Sequence, residues 1–307
     1  MTDTALSSPR SLSPFAGLMS GTAGPVVVVV LAIIAIWYLG AIALNAAFQQ
    51  DTYERAGRTD VPLVEFIGDT LAQERPKLPA PHQVAVELWK TTVEKKITSK
   101  RSLIHHSTIT LSTTLLGFFI GTSLGILLAV GIVHSGVLEK SLMPWVISSQ
   151  TIPVLAIAPM IIVVLGNSGI TGLLPKALIS TYLSFFPVTV GMVKGLRSPE
   201  VIHMDLMHTY SASRFQTFWK LRLPYALPYL FTSMKIGMAA SLVGAIIGEL
   251  PTGAVAGLGA RLLAGSYYGQ TIQIWSALFM AAFLAGSLVA LIGLTEKLTL
   301  KRMGLSR

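Results

Sequence analysis

The stretch Asp205–Pro224 reads DLMHTYSASRFQTFWKLRLP and lies between two long apolar runs. Three basic residues (Arg214, Lys220 and Arg222) share it with Leu206, Met207, Tyr210, Phe215, Phe218 and Trp219. A solvated loop seldom exposes so many large apolar groups, and an apolar cluster rimmed by charge marks a partner site. From Ser198 to Arg222 there is no glycine, Pro199 suits a first helical turn, and Pro224 and Pro228 delimit the following apolar run. The segment therefore reads as a helix that protrudes from an apolar body, stops at Pro224 and docks on a soluble partner, as amphipathic helices dock in grooves.

Composition supplies the apolar body. Of the 307 residues, 52% are hydrophobic and only 12% charged, against about 25% charged in a soluble domain. The apolar residues come in blocks, as in membrane proteins. The formal net charge of +9 does not point to nucleic acid, because the basic residues cluster beside apolar runs, as they do at a cytoplasmic membrane face. The absence of cysteine excludes disulfides, thiolate metal sites and cysteine nucleophiles.

Six runs are each near the roughly 20 residues that cross the hydrocarbon layer: Gly24–Phe48, Ser107–Val133, Leu142–Leu165, Leu174–Leu196, Ala226–Leu250 and Ile274–Leu298. The pattern predicts an all-α membrane protein with six transmembrane helices. The first run is too long for a signal-peptide core and reads as an uncleaved anchor, with the small residues of Leu44–Ala47 leaving cleavage open. Basic residues outnumber acidic ones in Lys194–Pro224 and from Thr295 onward, which predicts that both segments, and hence both termini, are cytoplasmic. Residues 1–23 then form a disordered cytoplasmic N-terminus, 24–48 the first span, and 49–106 an external loop with an interfacial helix. Residues 107–298 form a five-helix core containing the inner loop 197–224, and 299–307 a cytoplasmic tail. The basic run Lys95–Arg101 opposes this orientation, but long loops carry little weight in the positive-inside rule.

Several motifs admit simple readings. GTSLG at Gly121–Gly125 matches a nucleophile elbow, yet that elbow needs a strand–turn–helix, and this one lies inside a span. Gly117, Gly121 and Gly125 fall instead on one helix face, where small residues admit a neighbouring helix. His105 and His106 are adjacent and cannot share a face as metal ligands, so they read as an interfacial pair. No P-loop sequence occurs, so any ATP must be hydrolysed by another subunit. Pro153 and Pro159 break the third run beside Ser148, Ser149, Gln150 and Thr151, and Pro187 follows Phe185 and Phe186 in the fourth. Carbonyls freed by proline must be satisfied by protein or by a water-lined cavity, so Gln150, Thr151, Pro153, Phe185, Phe186 and Pro187 are candidates for a translocation path. Glu249 ends the fifth run, either at the outer end of that path or simply reaching water.

The inner segment resembles the cytoplasmic loop of binding-protein-dependent ABC importer permeases, whose pattern is E-A-A, three residues, G, nine residues, I-x-L-P. Asp205, Leu206 and Met207 occupy the E-A-A positions, Ser211 the glycine, and Leu221-Arg222-Leu223-Pro224 the end. The spacing matches, while residue types depart at E-A-A and at the glycine. LPAPHQV, QTIPVLAIAPMIIVVLGNSG, FFPVTVGMVKGLRSPE and Glu249 followed by Gly257-Leu258-Gly259 extend the resemblance over 78–304, within the nitrate, sulfonate and taurine branch. The long first loop and the YSAS sequence resemble permeases for riboflavin or thiamine-pyrimidine precursors.

The resemblance implies a non-enzymatic transport subunit of a bacterial inner membrane, with two ABC ATPase subunits, an extracytoplasmic substrate-binding protein and a second permease copy as partners. No cofactor would bind this chain; ATP and magnesium would sit on the ATPase. It implies ATPase contacts through Asp205, Leu206, Met207, Tyr210, Ser211, Ala212, Arg214 and Pro224. The rival is an ion-coupled carrier, for which Glu249, Lys235 and Lys176 are the candidate buried charges.

Overall fold

The structure, a computed structural model, describes residues 23–58, 60–251 and 256–304. The expectation of a disordered N-terminus, and the last three residues of the tail, lie outside the described residues. Among the described residues every regular element is helical, and the chain divides into two compact units, Met1–Val86 and Glu87–Arg307.

In the first unit, helix α1 spans Ala23–Arg55, longer than the expected 24–48. Its first half is apolar all round and exposed from Val26 to Ile36, as suits a helix surrounded by lipid. Its second half carries a stripe at spacings of four that explains the extra length. Trp37 Nε1 donates to Pro79 O at 2.9 Å. Asn45 Nδ2 donates to Leu78 O at 2.8 Å, while its Oδ1 accepts from Lys77 N at 2.7 Å. Gln73 Nε2 donates to Gln49 Oε1 at 2.9 Å, and Tyr53 OH to Asp69 Oδ2 at 2.5 Å. The residues after helix α2 (Leu63–Leu71) are thus strapped along α1, not spread as a loose loop. Helix α3 forms at Pro81–Trp89 and continues as a single π-turn at Lys90–Glu94.

In the second unit, α4 (Leu103–His134), α5 (Gly136–Ser149), α6 (Val154–Asn167) and α7 (Leu173–Leu196) are followed by α8 (Val201–Thr209) and α9 (Arg214–Thr217). Then come α10 (Leu223–Glu249), α11 (Leu258–Tyr267) and α12 (Thr271–Arg302). The centre is α7, held between α4 and α10 by small residues. A Cβ on Gly117 or Gly121 would overlap Ser180 or Ser184, and one on Gly125 would lie 2.9 Å from Phe185 O. On the other side, a Cβ on Gly244 would lie 2.7 Å from Ser180 Cα and one on Gly195 2.9 Å from Ala226 Cα. Backbones this close are held by packing and cross-helix hydroxyls rather than by expelled water. Thr181 Oγ1 donates to Gly117 O at 3.1 Å and Ser241 Oγ to Thr114 O at 2.8 Å. The glycine face of α4 therefore packs a helix, as its spacing predicts.

These registers also fix direction. Gly117, Gly121 and Gly125 meet successive residues of α7 in the same order, so α4 and α7 run parallel, whereas α7 and α10 run antiparallel. Between α4 and α7 the chain returns through α5 and α6, which meet at a 100° bend over 150–153. The start of α5 is tied to the end of α7 by Arg197 Nη2 and Glu139 Oε2 at 2.8 Å. Among the described residues, five helices are long and apolar enough to cross a membrane, and a sixth crossing exists if α5 and α6 count as one.

One expectation is corrected. The polar segment does not stop at Pro224: residues 214–249 form one continuous helical run. A π-turn at Phe218–Arg222 carries it, with Leu223 N donating to Phe218 O. A π-turn shifts the hydrogen-bond register just before Pro224, whose missing N–H would otherwise interrupt the ladder.

Candidate functional site

The inner segment begins after α7 with Ser198 Oγ donating to Gly195 O at 2.7 Å. Helix α8 buries none of its residues, and Val201, Ile202, Leu206 and Tyr210 are 51–77% exposed. Its end is a Schellman turn: Ser211 N donates to His208 O and Ala212 N to Met207 O, both at 2.9 Å. That turn requires a left-handed residue, and Ser211 sits at φ 52°, the sole positive-φ non-glycine among the described residues. The serine in the glycine position therefore keeps the glycine conformation. Ser213 then opens α9 with a capping box, accepting from Gln216 N at 3.2 Å while Gln216 Oε1 accepts from Ser213 N at 2.9 Å.

This turn places Asp205, Leu206, Tyr210, Ser211 and Arg214 on an exposed surface, with Met207 and Ala212 half-buried where they close the turn. Pro224 lies apart from them, inside the first turn of α10. Phe215 and Trp219 add to the exposed apolar surface, whereas Phe218 turns inward, edge-on to His134 at 5.4 Å. The same element thus offers one apolar face outward and anchors the other on the core.

The candidate path residues are not gathered into one place. Gln150, Thr151 and Pro153 are exposed at the 100° bend. Phe185 joins Tyr182, Ile152, Ile157 and Met160 in an apolar groove of about 770 Å³ between α6 and α7. Phe186 and Pro187 face a second groove of about 580 Å³, against Pro228, Tyr229 and Ile236 of α10. The adjacent phenylalanines thus serve different sides of α7. Tyr182 OH donates to Ser149 O, at the bend.

Glu249 lies elsewhere, fully buried at the far end of α10. Its carboxylate accepts from Thr110 Oγ1 at 2.9 and 3.0 Å and from Gly259 N at 2.8 Å. Thr110 Oγ1 also accepts from Leu258 N at 2.9 Å. Gly257 N donates to His106 Nδ1 at 3.0 Å, which leaves Nε2 to carry the ring proton toward Lys100 O, also at 3.0 Å. Gly257 sits at φ 125°, and a Cβ on it would lie 2.5 Å from Glu249 Oε2. Gly257-Leu258-Gly259 is thus a cradle for the carboxylate, at the positively polarised start of α11. Sequence reasoning missed Thr110, and it read His106 as interfacial; the ring is built into this junction. The carrier candidate Lys235 is paired with Glu296 of α12.

Residues 121–304 match the family described as "Binding-protein-dependent transport system inner membrane component". The chain is 33% identical to the riboflavin transport system permease protein RibX of Chloroflexus aurantiacus, over 73% of this chain and 80% of that one. It is 32% identical to the formylaminopyrimidine transport permease protein ThiX of Halalkalibacterium halodurans, over 59% and 68%. A putative aliphatic sulfonates transport permease protein, SsuC of Bacillus subtilis, is 24% identical over 67% and 73%. With its apolar helices, its small-residue packing and a match across well over half its length, the chain belongs to the family of inner membrane components of binding-protein-dependent transport systems.

Proposed function

We propose that the chain is the membrane-spanning subunit of an ATP-driven importer and docks a separate ATPase through residues 197–224. The observation that carries this reading is the exposed apolar face of α8, held at a fixed angle by the left-handed turn at Ser211. An apolar face supported this firmly and left uncovered by the described residues suits a soluble partner. Asp205, Leu206, Met207, Tyr210, Ser211, Ala212 and Arg214 form the dock, and Pro224 seats the rod behind it. The ATPase supplies ATP and magnesium; this chain carries out no catalysis and holds no cofactor.

The polypeptide crosses the membrane six times, with α5 and α6 as one bent crossing and both termini cytoplasmic. Parallel α4 and α7 support that count, since only a complete return crossing lets two such helices run the same way. Two copies enclose the path, along Gln150, Thr151 and Pro153 and one of the two grooves that hold Phe185 or Phe186 and Pro187, and an extracytoplasmic binding protein delivers a small water-soluble solute. The relatives named for riboflavin, formylaminopyrimidine and aliphatic sulfonates support a small heterocycle or a sulfonate as the solute. An ion-coupled carrier would keep a movable charge along the spans, whereas Glu249 and Lys235 are engaged in structural contacts.

The test is to replace Asp205 or Met207 with arginine and ask whether the partner ATPase still co-purifies and couples. Loss of coupling with the helices intact supports the dock. Full coupling in both variants would defeat it.

A further inference from the structure

We propose that Glu249 and Thr110 are positioning residues that transmit displacement of the inner segment to α11 at the other end of α10. The inference rests on the docking role of 197–224 proposed above and adds the route by which its motion would reach the far side.

The first observation is the rod. Residues 214–249 form one helical run of 36 residues, about 54 Å at 1.5 Å per residue. It begins at the capping box of Ser213, in the exposed segment, and ends at Glu249. Along its length it lies against α7 with glycines or alanines at the closest points: Gly195 against Ala226, Ser180 against Gly244, Lys176 against Gly248. Contacts this close seat the run on α7 at both of its ends.

The second observation is the grip at the end. The Glu249 carboxylate holds the Gly259 amide, and Thr110 binds both Glu249 and the Leu258 amide. Glu249 is fully buried, and hydrogen bonds in such surroundings are electrostatically stronger than in water. The cradle has no spare room: a Cβ at Gly259 would lie 2.8 Å from Glu249 Cβ. The start of α11 therefore moves with Glu249. Because α11 packs through Leu258 on Leu103, Ala277 and Ala281, it carries the movement on to α4 and α12. Coupling between distant sites is carried by rigid secondary elements and hydrogen-bond networks, and the helical run and the buried contact at its tip are one of each.

Hydrogen exchange on the assembled transporter, with and without ATP trapped on the ATPase, tests this without knowledge of the solute. Wild type should change exchange on ATP binding both in α8 (Val201–Thr209) and in α11 (Leu258–Tyr267). Thr110→Val should keep the α8 response and lose at least tenfold of the α11 response, while Thr110→Ser, which restores the hydroxyl, regains it. Glu249→Gln should behave like Thr110→Val. A merely structural role would raise α11 exchange equally in both states and leave the ATP-dependent difference in place, which would overturn the proposal. An α8 response without an α11 response in wild type would also overturn it. No response at α8 would remove the docking reading itself, and the transmission with it.

Discussion

The amide of Ser211 donates to the carbonyl of His208 at 2.9 Å from a backbone in the left-handed region, at φ 52°. A side chain in that region costs roughly 1 kcal/mol relative to glycine. The serine is held there because the next amide, of Ala212, closes the same turn on Met207. Ser211→Gly should thus leave the turn intact and slow exchange of the Ala212 amide by a few fold. Ser211→Val, β-branched at positive φ, should open it and expose the segment to protease. Limited proteolysis of the two variants checks the direction; equal cleavage of both would show that the turn is not set by this residue.

The α4–α7 contact offers a compensation test. A Cβ on Gly121 has Ser184 Oγ as its obstructing neighbour, with Thr181 O next at 3.1 Å. Overpacking of this size costs roughly 1–3 kcal/mol. Gly121→Ala should lower thermal stability, and adding Ser184→Ala, which removes the obstructing oxygen, should restore most of it. Additive losses in the double-mutant cycle would mean that the two sites do not touch.

Lys235 and Glu296 tie α10 to α12 at side-chain exposures of 33% and 18%. Removing one partner leaves the other charge half-buried, at a cost of about 1–3 kcal/mol once partial solvation is allowed for. Lys235→Met should destabilise, the charge-swapped pair should recover, and Lys235→Met with Glu296→Leu should approach wild type. A thermal melt of the four proteins decides it, and a single variant as stable as wild type contradicts the pairing.

Helix existence, the glycine face of α4 and the spacing of the inner segment are legible in the sequence because each is local: hydropathy over 20 residues, a four-residue repeat, a fixed offset. What is not legible is long-range or rule-breaking. Thr110 meets Glu249 across 139 residues of chain, and nothing near Thr110 distinguishes it from other span hydroxyls. Pro224 reads as a stop, yet the π-turn at Phe218–Arg222 lets the helix run through it. The strap on α1 had a signal that went unread: Trp37, Asn45, Gln49 and Tyr53 recur at multiples of four, as a helix does when one face must bind backbone polar groups. The two phenylalanines before Pro187 read as one site because they are adjacent, although neighbours on a helix point about 100° apart.

Orientation is open to direct labelling, since the chain has no native cysteine. With both termini cytoplasmic, Tyr210→Cys, 77% exposed, should react with an impermeant thiol reagent only from the cytoplasmic side, and Glu54→Cys only from the opposite side. Reaction of Glu54→Cys from the cytoplasmic side would reverse the assignment of α1.

The same chemistry tests the path. Gln150 and Thr151 are exposed at a bend where Pro153 interrupts the backbone, and lipid tolerates such backbone only where protein or water satisfies it. Phe185 and Phe186 face different grooves, so a single continuous path can use only one of them at a time. Gln150→Cys and Thr151→Cys should react with a water-soluble thiol reagent in at least one nucleotide state. Of Phe185→Cys and Phe186→Cys, one should react with the first two and the other should stay silent, which identifies the groove that carries the solute. Gln150→Ala should then alter transport rate without changing assembly, because weak contacts on a path affect passage and not packing. If all four cysteines stay unreactive in every nucleotide state, both grooves are filled by protein or lipid and the solute passes elsewhere.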